Sequence, residues 1–505
     1  MKKIVLFGAG KSASVLIDYL LGQATENNWM IFIADTNKKL IEEKTKLHPK
    51  STTVEMDIKD EISRRALIAE SDMVISMMPP ALHILIAKDC IAYNKNLLTA
   101  SYADEEIMSL QKSVEDNGLL FLCEMGLDPG IDHMSAMQLL DDIKASGGMV
   151  NSFKSHCGGL VAPESDDNPW HYKITWNPRN IVLAGKSGAI YKQDNNIITE
   201  KYESLFDVNR TVRTGHAEVP ELSYYPNRNS LPYIELYGLQ DAETFIRTTL
   251  RYPDFMYGWK NIIDLNLTDE TPAYETNGKN LHDFFKEHLA KNGFGDWLEE
   301  KLTERFAQTK SMLENLMKIM EAETEAKQEG EEPVEDFMVV DESGDLKNIE
   351  LNEVKTMAAS TIAAKMHEAN LTLKQLFYLG LDDMETMINK GKCAAADVLQ
   401  LALEKKLALH PTDKDMIVML HEIEYTVKGK RNAIHSSLLV KGDDSIHTAM
   451  AKTVGLPLGI AAKLILNGDI KMTGIHIPVK KEIYEPVLEE LKKHGIEFVE
   501  TRTSV

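Results

Sequence analysis

The chain has 505 residues, too many for a single hydrophobic core, so two or three domains are expected. Its formal net charge of −22 argues against nucleic acid or an anionic membrane as partner, and an anionic substrate would need local arginines to overcome that field. Cys90, Cys123, Cys157 and Cys393 are widely spaced, with no CxxC pattern and no paired histidines, which speaks against a disulfide framework or a metal site.

The chain opens directly in a strand, with no apolar segment leading to a small-residue cleavage site. The longest apolar runs, such as Ile4–Ala9 and Met73–Met78, fall short of a bilayer span, and a cytoplasmic protein is expected. Over residues 1–125 strand and helix alternate. "KKIVLFGAG" leads into "SASVLIDYLLGQ", "MIFIAD" into "TNKKLIEEKTK", and "STTVEMD" and "DMVISMMPP" flank "RRALIAE". "NLLTASY" and "GLLFLCEMG" complete the series. Strands without polar alternation, separated by helices, indicate a Rossmann-type parallel sheet covered on both faces. From 126 to 260 the segments alternate more and carry turn residues, as expected of a mixed-sheet α+β substrate domain. Residues 261–412 are expected to form an all-α insertion holding an acidic linker near 321–337. The hairpin "DMIVMLHEIEYTVKG" and "NAIHSSLLVKG" returns the chain to the substrate domain over 413–445. Residues 446–505, with a helix expected to break at Gly455-Leu456-Pro457, should end near the first domain.

Two turns carry chemistry. "VLFGAGKSA" puts Gly8, Gly10 and Ala13 on a G-x-G-x-x-A spacing between the first strand and its helix, where backbone N–H groups and the helix N-terminus face a pyrophosphate. The second strand ends in Asp35, whose carboxylate suits ribose hydroxyls and repels a 2′-phosphate. NAD is therefore expected over NADP, although Lys38 and Lys39 lie near. The other turn, "GLDPGIDHMSAM", follows a buried strand and precedes a helix; Asp132 is read as its N-cap, and His133 as packing in the first turn rather than as a base.

The chain resembles the saccharopine dehydrogenases of the L-glutamate-forming kind, through "TASY", "GLDPGIDHMSAM", "CGGLVAPESDDNPWHYKITWNPRN", "YPNRNS", "TTLRY" and "AMAKTVGLPLGIAAKLILNGDI". The resemblance implies reversible oxidation of the secondary amine of saccharopine, hydride passing to NAD(P), to give L-glutamate and 2-aminoadipate 6-semialdehyde. Many fungal members carry Cys-Arg where this chain has Asp35-Thr36, which favours NAD here. The resemblance also implies that substrate is held by Ser101, Tyr102, Asp128, Arg228, Thr249, Leu250 and Arg251. On the cofactor it implies Gly8, Gly10, Lys11, Ser12, Asp35, Asp57, Ile58, Met78, Ala100, Ser101, Leu127, Asp128, Pro129 and Asn177. Asp128, Tyr102 and Cys157 are its candidates for proton transfer, Lys173 is either a further cation for a carboxylate or a surface lysine, and a homodimer is the family's usual assembly. Two other readings stay open: an imine reductase of the carboxynorspermidine dehydrogenase type, and a non-catalytic NAD-binding protein.

Overall fold

The computed structural model describes residues 1–206, 210–294, 367–368 and 370–504, with the backbone of two strands between 336 and 350. The acidic stretch 321–335 and the helical readings over 295–320 and 351–366 lie outside the described residues. The described chain forms two compact units, one of Met1–Asp167, His171–Met256 and Leu407–Val505, the other of Asn168–Trp170 and Tyr257–Lys406.

The first unit holds both large sheets. β1 (Lys2–Phe7), β2 (Trp29–Asp35), β3 (Ser51–Glu55), β4 (Met73–Ser76), β5 (Asn96–Thr99) and β6 (Leu120–Leu122) alternate with helices. They pair in parallel in the order β6-β5-β4-β1-β2-β3. Ile4, Leu6, Ile31, Ile33 and Ile75 face one core and Val5, Phe7, Val74 and Leu97 the other, which explains why these strands read as continuous apolar runs. The bend after β6 leads into the helix Ile131–Ala145.

The second sheet starts with β7 (Met149–Val161), followed by β8 (Ala189–Gln193), β9 (Asn196–Glu200), β10 (Arg210–Arg213), β11 (Glu221–Pro226), β12 (Arg228–Asn229) and β13 (Thr244–Arg251). β13 runs parallel to β7, pairing Thr249 with Cys157, and the sheet is mixed as its alternating sequences imply. The other unit contains β14 (Tyr274–Glu275) paired with β17 (Lys392–Cys393), the hairpin of β15 (Asp336–Val340) and β16 (Leu346–Glu350), and the helices Leu281–Lys291 and Ala395–Lys406. Returning to the first unit, β18 (Asp415–Val427) and β19 (Lys430–Lys441) form the expected hairpin, and β18 lies antiparallel along β7. β20 (Gly474–His476) adds a seventh parallel strand beside β6, and β21 (Val499–Ser504) an edge beside β19.

The helix Ala449–Asn467 corrects two expectations. It runs unbroken through Pro457, although proline removes one backbone hydrogen bond. It packs closely on the helix Ser14–Ala24: a Cβ on Gly455 would lie 2.8 Å from the Leu16 nitrogen, so only glycine permits the approach. By length and apolarity this helix could also cross a membrane, contrary to the reading that no segment is long enough. With 72% of its apolar window buried inside the protein, it is a core helix between the two sheets.

Candidate functional site

The glycine turn after β1 has the shape its sequence requires. Gly8 has φ +97°, and a Cβ there would lie 3.0 Å from the Met77 carbonyl oxygen; the position where a Gly10 Cβ would stand is open space. Asp35 is tied to the same turn, Oδ2 accepting from the Ala9 N–H at 2.8 Å and Oδ1 from the Asn37 N–H at 3.0 Å. Its carboxylate oxygens keep lone pairs for further donors. Lys38 and Lys39 lean away onto Glu42 and Glu43. Lys44, which sequence reasoning passed over, donates instead to the Gly10 carbonyl, with its ammonium drawn down to about 8 by burial against the opposing charges of Asp35 and Asp18. Lys11 and Ser12 form the short 3-10 turn that opens the following helix. A dinucleotide fits these groups: bare backbone for the pyrophosphate and a fixed carboxylate at the ribose position.

Of the remaining residues expected at the cofactor, Asp57, Ile58, Met78, Ala100 and Ser101 follow β3, β4 and β5, whereas Asn177 belongs to the chain beyond β7. Asp57 is exposed and accepts from the Lys59 N–H at 2.9 Å, while buried Ile58 has its carbonyl held by Arg64 at 2.6 Å. Met78 lies two residues beyond β4 and is half-buried. Asn177 is an N-cap, accepting from the Arg179 N–H at 2.9 Å. Ala100 and Ser101 follow β5; the Ser101 hydroxyl meets His83 Nε2 at 2.8 Å, and His83 Nδ1 meets the Ser76 hydroxyl at 2.8 Å. Burial draws His83 down to about 4, so it holds Ser101 as a neutral ring.

Beside Ala100 lies the bend, where a Cβ on Gly126 would stand 3.1 Å from the Ala100 Cβ. The Asp128–Pro129 peptide is cis, and Gly130 has φ +147° with Gly126 so close that a Cβ would sit 2.1 Å from its carbonyl oxygen. Leu127 and Pro129 are buried beside Asp128. The helix N-cap position is Gly130, not Asp132: Asp132 sits inside the first turn, buried, accepting from the Gly130 N–H at 2.6 Å. Its other oxygen accepts from Arg247 at 2.7 Å, and the same guanidinium nitrogen donates to Asp128 Oδ1 at 2.6 Å. Asp128 Oδ1 also receives the Tyr102 hydroxyl at 3.4 Å. His133 is fully buried between Tyr237 at 2.5 Å and Glu124 at 2.8 Å, and Glu124 also accepts from the Ala103 N–H at 3.1 Å.

The arginines differ in their surroundings. Arg228 is exposed, with φ +56° and its guanidinium 5.5 Å from the Tyr102 ring. Arg251 is 4% exposed and lies over the Tyr172 and Phe255 rings. It makes one hydrogen bond, to the Leu250 carbonyl at 2.8 Å, and its buried Nε has no partner among the described residues. Alternation along β13 puts Arg247, Thr249 and Arg251 on one face with Cys157, while the Leu250 side chain enters the core on the opposite face. Lys173 is neither a surface lysine nor an open cation: it is buried and bound to Asp167 at 2.8 Å and Asp413 at 2.7 Å.

Electrostatics separates the two carboxyls. Burial lifts Asp128 above the usual carboxylate range, with Arg247 opposing; for Asp132 burial is outweighed by His133 and Arg247, which hold it below that range. Of the two, Asp132 is thus the more readily ionised carboxyl. Burial, reinforced by Asp128, keeps the Tyr102 phenol protonated, and burial does the same for the Cys157 thiol. Sequence reasoning missed Arg247, Glu124, Tyr233 and Tyr237. Only Arg247 left a usable signal, standing two residues before Thr249 and four before Arg251 in "IRTTLRY" and so on their face of a strand.

Fold and site together define an NAD(P)-binding oxidoreductase that takes a small-molecule substrate. Sequence profiles narrow this: the saccharopine dehydrogenase NADP binding domain matches residues 4–122, and the saccharopine dehydrogenase C-terminal domain matches residues 126–496. The chain belongs to the saccharopine dehydrogenase/alpha-aminoadipic semialdehyde synthase family. It is 31% identical over 510 residues to the mitochondrial alpha-aminoadipic semialdehyde synthase of Bos taurus, covering 99% of this chain and 48% of the relative. The chain thus spans about half the length of such relatives. It is 28% identical to saccharopine dehydrogenase [NADP(+), L-glutamate-forming] of Pyricularia oryzae, covering 99% of this chain and 98% of that one. Apo saccharopine dehydrogenase (L-Glu forming) from Saccharomyces cerevisiae superposes with a TM-score of 0.77 at 26% identity over the whole of both chains.

Proposed function

We propose that the protein is a saccharopine dehydrogenase, converting L-saccharopine and water to L-glutamate and L-2-aminoadipate 6-semialdehyde with reduction of NAD, NADP being the poorer acceptor. The observation that carries this reading is Arg251. A guanidinium buried with an orphaned Nε and no ion pair among the described residues is costly unless an anion completes it, and saccharopine brings three carboxylates. Arg228 stands beside Tyr102 for a second carboxylate. A cationic polyamine would meet these arginines unfavourably, which disfavours the carboxynorspermidine alternative.

When bound, the nicotinamide supplies the hydride acceptor. The residues of the chain do the rest. Arg228 and Arg251 fix the substrate's ends, so that the reacting carbon is held rather than diffusing. Asp128 takes a proton from the amine nitrogen, and the neutral Tyr102 phenol and Cys157 thiol are placed to pass protons as water adds and the nitrogen departs. A cytoplasmic homodimer accompanies this reading, to be checked by sedimentation and fractionation.

Purified protein assayed with saccharopine and each dinucleotide tests the whole; no turnover of saccharopine, with turnover of diaminopropane plus aspartate semialdehyde, would overturn it. Arg228→Ala should raise the KM for saccharopine about tenfold, the loss of one charge-assisted contact, with NAD affinity unchanged. Asp35→Ala should narrow the preference for NAD over NADP; an unaltered ratio of kcat/KM values would refute the role given to that carboxylate.

A further inference from the structure

Arg247 has no part in the reading above beyond its ion pairs, yet its setting is the most constrained in the site. The guanidinium lies 4.3 Å over the Tyr233 ring. Tyr233 stacks on His133 at 5.4 Å, and His133 is pinned by Glu124 and Tyr237. Asp132, bound to the Gly130 N–H, fixes the arginine from the helix side. Asp128 is engaged through Oδ1 alone, by Arg247 and Tyr102; among the described residues its Oδ2 has no hydrogen-bond partner.

We propose that Arg247 is a positioning residue that ties Asp128 by one oxygen to the helix-anchored Asp132, leaving the other oxygen aimed at the substrate amine as proton acceptor. This rests on the amine-oxidation reading and adds to it the group that orients and charges the acceptor. In the step, an N–H bond of the substrate's secondary ammonium breaks and its proton goes to Asp128 Oδ2. The freed nitrogen lone pair can then form the carbon–nitrogen double bond as the carbon gives up hydride, for which a bound nicotinamide would be the acceptor. Asp128 faces Arg247, Asp132, His133 and Tyr102. Without the guanidinium, burial and Asp132 both favour its protonated form, so the acceptor would be blocked until higher pH.

The test compares Arg247→Gln with Arg228→Gln in saccharopine oxidation. Arg247→Gln should lower kcat about tenfold or more and move the acid limb of the kcat/KM profile up by about one pH unit, as loss of a buried counter-ion requires, with KM little altered. Arg228→Gln should raise KM and leave the limb in place. A folded Arg247→Gln enzyme with an unmoved limb, or a loss confined to KM, overturns the proposal. If that variant does not fold, Arg247→Lys decides. It keeps the charge but loses the planar group held over the Tyr233 ring, and with it the fixed direction of the bond to Asp128, so kcat should fall about tenfold with the limb nearly fixed, and undiminished kcat is the contrary result. Infrared difference spectra against Asp128→Asn read the Asp128 carboxyl band without any turnover. If wild-type protein leaves saccharopine untouched, the functional reading falls, whereas a band titrating at the same pH with and without Arg247 sinks the positioning role alone.

Discussion

Lys173 and Arg247 are both buried cations, 3% and 5% exposed, and each faces two carboxylates. Around Lys173 the charges close on one another, the ammonium joining Asp167 at 2.8 Å and Asp413 at 2.7 Å; in the neighbouring pair His171 bridges Asp166 and Asp254, and one oxygen of Asp166 keeps no partner among the described residues. On the inner face of β13 they do not close. Among the described residues Arg251 keeps an orphaned Nε, Asp128 keeps an uncommitted oxygen, and Arg228 meets the Tyr102 ring without an ion pair. Burial of charge therefore does not mark a site by itself. What marks it is an inventory left incomplete after the protein's own partners are counted, because a fully paired cluster has nothing to offer a ligand and an incomplete one is costly until something arrives.

Substitutions on the two sides should fail in different ways. The largest effect is expected on the open side: Arg251→Gln should lower kcat/KM for saccharopine about 100-fold, the cost of leaving a substrate carboxylate unpaired in a buried setting. Steady-state kinetics with calorimetric binding of the dinucleotide separate this from misfolding; an unchanged KM would erase the contrast. On the closed side Lys173→Met should cost stability, about 2 kcal/mol given that Asp167 is partly solvated, and leave KM alone. Denaturant melts alongside the same kinetics check it, and a raised KM would move Lys173 into the open class.

The smallest effect sharpens the same point. Asp166 and then Asp254 raise His171 to about 9, so its folded form holds a proton that the unfolded chain releases near 6.5. Its contribution to stability should be full below about pH 6.5, decline through the interval and vanish above about pH 9. With the ring 37% exposed, solvent screening keeps it below about 1 kcal/mol. Thermal melts of His171→Gln and wild type should diverge at pH 6 and coincide at pH 10; a constant gap would mean that charge is not what the loop gains.

The glycine turn, Asp35 and the alternation of apolar strands with helices were legible because each depends on neighbours in sequence: a run of apolar residues, a φ only glycine tolerates, a carboxylate at a strand end. The bend at Asp128 was legible as a turn, but the helix cap was misassigned by two residues, since Asp132 looks like a cap until Arg247, 115 positions away, is seen to claim it. The unbroken helix through Pro457 was hidden as well: a proline after a glycine reads locally as a break, and the close approach of Gly455 to the helix Ser14–Ala24 is visible only in the folded chain.

By itself, then, the sequence determined the dinucleotide-binding domain of this protein and its family, through local backbone requirements that admit few alternatives. Only the tertiary structure decided which buried charges are satisfied and which wait for a ligand. Pairing between side chains hundreds of residues apart, such as Lys173 with Asp413, depends on distances that no spacing along the chain encodes.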